Sequence, residues 1–211
     1  MSERDDYGDL QFFGAIVASV SHELNNVITI IDQVDGLLQD LLTAEQSGAP
    51  ITMGQLKTIH ERIARQTVRG VEIVKNLNRF AHGIDEPSVL ELNSVLENLF
   101  ELARRIVERR RFKLVVQYAN PEVVVTASQF WLQQLVFQCL QQFLNSSPET
   151  SEISVAVSRE GSSAVVAMAG PEIAFVEPAG KRTASVRAEV SCGRTRVDIV
   201  LPLFGQEGDQ A

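Results

Sequence analysis

From Gly8 to Glu45 the chain carries no proline. Its apolar residues there fall in a stripe: Phe13, Val17, Val20, Leu24, Val27, Ile31, Val34, Leu38 and Leu41, in alternating steps of four and three. That alternation, held for about four heptads, predicts a helix buried along one side for its whole length. Phe12, Ile16, Ile28, Leu37 and Leu42 widen the stripe. A helix of about 38 residues would run close to 60 Å at roughly 1.5 Å per residue. Such a helix needs partners along all of it.

The segment Gln46–Thr52, "QSGAPIT", supplies the break. Gly48 and Pro50 end the first helix and Thr52 can cap the next. A second helical window runs from Met53 to Ala81 on a seam of Leu56, Ile59, Ile63, Gln66, Gly70, Val74, Leu77 and Ala81. Gln66 and Gly70 weaken it, as sites of close packing or bending or as neutral interruptions. Two long helices joined by a short turn make an antiparallel hairpin. One hairpin cannot bury stripes this wide. Two copies around a two-fold axis, forming a four-helix bundle, can. A homodimer is therefore expected.

"HGIDEPSV", His82 to Val89, reads as a linker, and the chain beyond it has a different grammar. Leu92–Glu108 is an amphipathic helix, and "SQFWLQQLVFQCLQQFLNSS" is a second helix from Ser128. "FKLVVQY", "EVVVT", "EISVAVSR", "SAVVAMAG", "ASVRAEVS" and "RTRVDIVLPL" read as strands. The expected fold class is α+β: a helical hairpin over residues 1–85, then helices on a mostly antiparallel sheet over residues 88–205.

The formal charge is −8 with a pI near 5.0, so a basic nucleic-acid footprint is not a global feature. "MSERDDYGDL" is too acidic for a signal peptide, and no apolar run reads as the ~20 residues of a membrane span. A cytoplasmic protein with no membrane and no nucleic-acid partner is expected. Cys139 and Cys192 have no metal-ligand spacing and read as buried free thiols.

Within the first helix stands "SVSHELNNVITII", Ser19 to Ile31. His22 is about 200° from Val20 at roughly 100° per residue, off the seam. Glu23 is its next neighbour in the chain, and Asn26 lies one turn on, so the amide and the imidazole share a surface patch. The imidazole can act as a nucleophile, the carboxylate can orient the ring or take its proton, and the amide can hold a water or a phosphoryl oxygen. A lone histidine on a helix surface is more often only solvated.

The order and spacing of "SHELNN" resemble the phospho-accepting box of two-component sensor histidine kinases. In that box a histidine is followed by Glu or Asp, with Asn or Thr four residues after the histidine. His22, Glu23 and Asn26 take those places. The family's usual proline after the Asn or Thr is here Val27. The order of hairpin, linker and α+β domain matches as well. The resemblance implies a dimeric bundle whose histidine exchanges a phosphoryl group with an aspartate of a response-regulator receiver domain. It further implies that Glu23 assists proton transfer and that Asn26 supports dephosphorylation of the regulator.

The second half has the family's shape without its nucleotide residues. Where the resemblance places two magnesium-binding asparagines four residues apart, this chain has Gln138 and Gln142, each one methylene too long for a cation that demands near-ideal geometry. Asn145 is a substitute only at the helix end. Where an aspartate should read adenine, the chain has Ala167, Met168, Ala169 and Gly170. The loss of one buried acceptor is severe for a site built around it. Gly180 and Lys181 do not make a phosphate loop. The expected domain is thus a degenerate histidine-kinase ATPase-like sandwich with no ATP and no metal of its own, any Mg²⁺ being brought by the receiver. This combination resembles the dimeric bacterial histidine phosphotransferases.

The expected activity is histidine phosphotransfer in a phosphorelay through phospho-His22, rather than ATP-dependent autophosphorylation. The alternatives are a response-regulator phosphatase, a non-catalytic dimeric scaffold and an ATP-dependent kinase with an unusual pocket. Arg104, Arg105, Arg109, Arg110 and Arg111 read as a solvated face favourable to a helix C-terminus, or as a docking patch. Trp131 reads as core or partial core, His60 and His82 as ordinary, and Asn25 as a surface residue.

Overall fold

The structure, a computed structural model, describes residues 3–82, 87–146, 151–176 and 186–205. Gly180, Lys181 and half of the expected linker lie outside the described residues, as does the side chain of His82. By packing, the chain forms two compact units: Val17–Asn78, and Met1–Ile16 together with Arg79–Ala211.

The first unit is the hairpin. It is cut from α1 (Glu3–Gln46) and α2 (Met53–His82). Gly48 adopts φ +96°, the left-handed conformation that closes a helix without a Cβ penalty, and its N–H reaches the Glu45 carbonyl at 2.9 Å. Thr52 and Gln55 form a capping box across the first turn of α2. The Gln55 N–H donates to Thr52 Oγ1 at 3.3 Å, and the Thr52 N–H donates to Gln55 Oε1 at 2.8 Å. Val20, Val27 and Val34, seven residues apart, are buried on α1, as are Ile59 and Ile73 on α2. Gly70 marks a close approach: a Cβ there would stand 3.4 Å from Val27 Cγ1. Gln66 is half-buried, and its Oε1 is buried with no hydrogen-bond partner among the described residues.

By length and composition alone, α1 over Leu10–Gln46 also passes as a membrane span, contrary to the sequence expectation; the core helix of a soluble protein meets the same test. Its buried valines face the apolar residues of α2, which is the use a hairpin makes of such a stripe.

In the second unit the N-terminal part of α1 departs from the expected seam. Phe13 is 39% exposed, whereas Phe12 and Ile16 are buried. The reason is an aromatic cluster. The Phe12 ring lies 5.5 Å from that of Phe80 and 5.0 Å from that of Phe137, with Phe130 at 5.8 Å. These rings belong to α1, the end of α2, and α4 (Gln129–Ser146). Phe12 turns toward them, about 100° from the heptad position at Phe13.

The sheet of this unit has five strands in the order β2-β4-β5-β7-β6. They are β2 (Phe112–Gln117), β4 (Ser151–Glu160), β5 (Ser163–Ala169), β6 (Glu189–Cys192) and β7 (Arg196–Pro202). β2 and β4 run parallel and every other pair antiparallel. The register aligns the buried side chains across strands. Val155 faces Met168 and Met168 faces Val197, while Val157 faces Val166 and Val166 faces Ile199. The row is covered by α3 (Leu92–Arg109) and by α4, whose buried residues reach most of the way round it. The sequence reading missed β1 (Ser88–Glu91), placed in the linker; it pairs antiparallel with β3 (Val124–Ala127). Four residues with one buried side chain leave too short an alternation to announce a strand. The strand expected over "ASVRAEVS" is described only as the short β6.

Of the two cysteines, only Cys192 differs from expectation. Cys139 is buried on α4, and burial, with a smaller contribution from Cys192, pushes its thiol up to about 12. Cys192, at the end of the sheet-edge strand β6, is exposed. In the native protein an alkylating reagent at pH 8 should therefore modify Cys192 alone, since Cys139 has neither access nor thiolate. Mass spectrometry of peptides before and after denaturation checks this. The aromatic cluster gives a second expectation: Phe12→Ala should cost about 3–5 kcal/mol in chemical denaturation. Phe13→Ala should cost well under half of that.

Candidate functional site

The hairpin has two chemically opposite flanks. On α2, taking buried Ile59 as the reference and roughly 100° per residue, Leu56, Val71 and Val74 fall about 60–120° to one side. All three are exposed. Arg62, Arg65 and Arg69 fall about 60–120° to the other. On α1, referred to its buried valines, half-buried Leu24 and exposed Ile28 and Leu42 lie to one side. His22, Asn26 and Asp40 lie to the other. Asp40 is 18 residues after His22, close to five whole turns, so the two share an azimuth.

Because the helices are antiparallel, azimuth runs in opposite senses along them, and like flanks adjoin. A groove of about 660 Å³ bears this out: α1 contributes Leu37, Asp40 and Ala44 to it, and α2 contributes Thr58 and Arg62. The imidazole flank of α1 and the guanidinium flank of α2 thus border one face, and exposed Ile28, Leu42, Leu56, Val71 and Val74 border the opposite face.

The sequence-predicted trio is divided by this geometry. His22 is exposed and Asn26 half-buried on the same flank, about 40° apart in azimuth. Glu23 is half-buried and lies about 100° round from His22, toward the buried side. Asn25 is exposed, and its carbonyl accepts a hydrogen bond from Thr29 Oγ1 at 2.7 Å. His60 is exposed on α2. The basic run on α3 is solvated in part: Arg104 pairs with Glu101 at 3.8 Å, and Arg109, Arg110 and Arg111 are exposed. Trp131 is half-buried, its ring 5.4 Å from Phe130.

Of the two α4 glutamines that the resemblance sets against metal-binding asparagines, Gln142 is engaged by the backbone. The Gln142 amide is committed in both directions to one backbone residue. Its Nε2 donates to the Val176 carbonyl at 2.9 Å, and its Oε1 accepts from the Val176 N–H at 2.7 Å. The neighbouring Phe143 ring fills the space beside Gly170, where a Cβ would meet Phe143 Cδ1 at 3.0 Å. Met168 is fully buried in the sheet core. Gln138 is half-buried, and Asn145 is exposed near the helix end. Among the described residues no group of three or more His, Cys, Asp or Glu is arranged to hold a metal ion. The sequence reading did not foresee the Gln142 clamp, because nothing in the residues around Val176 announces a partner 34 positions away.

No protein-family model matches the sequence, nor does any curated protein sequence. Among solved structures, the chain is similar to the catalytic domain of the histidine kinase ThkA, at 12% identity and a TM-score of 0.47 over 56% of this chain and 97% of that one. It is similar to the Acinetobacter baumannii histidine kinase AdeS, at 10% identity and a TM-score of 0.47 over 87% of this chain and 98% of that one. It is also similar to ThkA in a complex with the response regulator protein TrrA, at 15% identity and a TM-score of 0.46 over 98% of this chain and 66% of that one. Likeness at this level says nothing of activity, so the chemistry has to come from the residues themselves.

The Gln142 clamp is testable. Gln142→Ala should cost about 1–2 kcal/mol and speed amide exchange at Val176 by roughly tenfold. Gln142→Asn, one methylene short, should not restore protection in hydrogen-exchange measurements.

Proposed function

We propose that this chain is a phosphotransfer protein of a two-component phosphorelay. It is a cytoplasmic homodimer that carries a phosphoryl group on His22 between response-regulator receiver aspartates and binds no ATP. The observation that carries the reading is His22 itself: an exposed imidazole on the open flank of α1, with Asn26 a turn along the same flank, in the order of the phospho-accepting box. The committed amide of Gln142 and the Phe143 ring against Gly170 support a domain that no longer holds a nucleotide. The exposed Ile28, Leu42, Leu56, Val71 and Val74 support a second copy covering the apolar flank, because apolar side chains gathered on one side gain about 25 cal/mol per Å² when covered.

In this reading a ring nitrogen of neutral His22 attacks the phosphorus of a receiver acyl phosphate in line. The P–N bond forms as the bond to the aspartate oxygen breaks, and the carboxylate leaves. The proton left on the phosphorylated ring passes to solvent or to Glu23, which otherwise orients the imidazole. The transition state is loose, so positioning counts for more than covalent chemistry. The receiver brings its own Mg²⁺.

The position of Asn26 favours one second reading, a phosphatase in which its amide holds the attacking water. The two readings separate cleanly. A purified receiver carrying ³²P should label the wild-type chain in an acid-labile, base-stable form, and His22→Gln should abolish the label. ATP with Mg²⁺ should leave none. Label from ATP overturns the loss of the nucleotide site, and absence of label from any phosphorylated receiver overturns phosphotransfer. Accelerated receiver dephosphorylation that survives His22→Gln and is lost in Asn26→Ala establishes the phosphatase instead.

A further inference from the structure

The sheet of the second unit ends in two unlike edges. β6 is four residues long, with Glu189 and Cys192 exposed. A short, charged strand is how an edge is normally kept from pairing. β2, at the other end, has six residues with no proline and no glycine. Its charged residue, Lys113, turns away from the edge and reaches Glu152 on the neighbouring β4 at 3.0 Å. Val115 is exposed in the middle of the strand. Among the described residues nothing pairs with the outer side of β2. The chain just past it is held firmly: the Asn93 amide donates to the Ala119 carbonyl at 2.9 Å and accepts from the Ala119 N–H at 3.2 Å. The edge is therefore long, flat and anchored, the form most open to a further strand.

A groove of about 510 Å³ runs beside this edge, between β2 and α3. Phe112, Leu114, Val116 and Tyr118, alternate residues of the chain, line it from the β2 side. Leu114 and Val116 sit in register with buried Ile153 and Val155, yet both are only half-buried. No strand lies beyond β2 to complete their layer. The groove is also polarised. α3 and β2 are joined by Arg110 and Arg111 and run in opposite directions. Glu97 and Glu101 stand toward Tyr118, whose phenol is raised above its ordinary value by burial, with these two carboxylates adding to the effect. Arg104, Lys113 and the exposed Arg109, Arg110 and Arg111 stand toward Phe112, with Glu108 among them.

We infer that β2 is a self-pairing edge: it adds antiparallel to β2 of a second copy about a two-fold axis at Val115, joining the two sheets into one. A strand accepted here must bring an apolar residue at every second position. It must bring positive charge to Glu97 and Glu101 and negative charge to the other end of the groove. A second copy meets each demand. With Val115 on the axis, Phe112 comes opposite Tyr118 of the second copy, and Leu114 opposite its Val116. Lys113 comes opposite Gln117, so no like charges face each other. The axis also reverses the groove, so that the acidic end of each copy meets the basic end of the other. A slip of one residue would set apolar positions against polar ones. An axis at Leu114 would keep the alternation but set Tyr118 against Arg110. The contact uses none of the exposed apolar residues of the hairpin and is independent of the phosphotransfer reading.

The test is disulfide trapping in the full-length chain carrying Cys192→Ser, which removes the exposed thiol. Directly opposed residues of an antiparallel pair have Cα atoms about 4.5–5.5 Å apart, within disulfide reach, whereas Lys113 and its own copy would stand about 14 Å apart. Val115→Cys should therefore form a covalent dimer under a mild oxidant. Lys113→Cys and Gln117→Cys should each cross-link about tenfold more slowly alone, and readily with each other when mixed. Adding E97K/E101K to Val115→Cys should slow its cross-linking about tenfold. In hydrogen exchange, the β2 amides of the wild type should gain protection as protein concentration rises. Val115→Lys, which sets two ammonium groups together at the axis, should remove that concentration dependence and leave β4 and β5 unchanged. Circular dichroism checks that every variant is folded. Equal cross-linking at all three positions, or none at Val115, overturns self-pairing. So does an uncross-linked Val115→Cys chain whose β2 amides are protected by a lysine-bearing extended peptide of unrelated sequence, which assigns the edge to a foreign strand. None of these readouts involves His22, so they are separate from the test of phosphotransfer.

Discussion

Burial of three valines on α1 against the apolar face of α2 fixes everything else about the hairpin. Val20, Val27 and Val34 recur every seven residues, and a helix can turn only one side toward its partner. Once that side is set, the azimuth of every other residue is set with it. His22 cannot be buried in the hairpin seam without exposing a valine, and Ile28 cannot be covered within one hairpin at all. Gly70 tightens the constraint by letting the helices approach to contact at Val27. A one-residue slip would swing the imidazole by about 100° and lose the burial of all three valines together, at roughly 1.5–3 kcal/mol each.

In the second unit two side-chain amides serve the backbone. Gln142 and Asn93 make the same device: each amide donates to and accepts from one distant backbone residue, Val176 and Ala119 respectively. An amide used this way satisfies two backbone groups that a loop would otherwise leave to water. One N–H and one lone pair remain, but the amide can no longer turn to present them to a ligand elsewhere. Gln142 in this way ties Val176 to α4. Phe143 then occupies the space beside Gly170.

How much of this was legible in the sequence depended on the range of the interaction. The hairpin was legible because heptad spacing, Gly48 and the Thr52–Gln55 box are local signals. So was His22, because its exposure can be had from the seam by counting residues. Phe13 was put on the seam in place of Phe12 because the partners of Phe12, namely Phe80, Phe130 and Phe137, lie 68 to 125 residues away and override the local period. β1 was missed because its evidence is a pairing with Val124–Ala127 rather than an alternation of its own. Cys192 was taken as buried because a strand context says nothing about whether the strand is at the sheet's edge. The guanidinium row was countable in "RIARQTVR", but that it shares a face with His22 required knowing which flank of α2 adjoins which flank of α1, and only the antiparallel packing supplies that.

The flank arrangement also bears on energetics. On the proposed reading, a histidine separated from any nucleotide site has no internal source of phosphoryl potential. It can move a phosphoryl group only between donors and acceptors of comparable energy, and mass action sets the direction. Affinity for partners then matters twice. Too little gives no encounter, and too much holds one partner and blocks the next. A face built from exposed charges suits this demand, because such contacts raise association rates more than they lengthen residence. An apolar face of the same area would do the reverse, and the hairpin places its broad apolar face on the side away from His22.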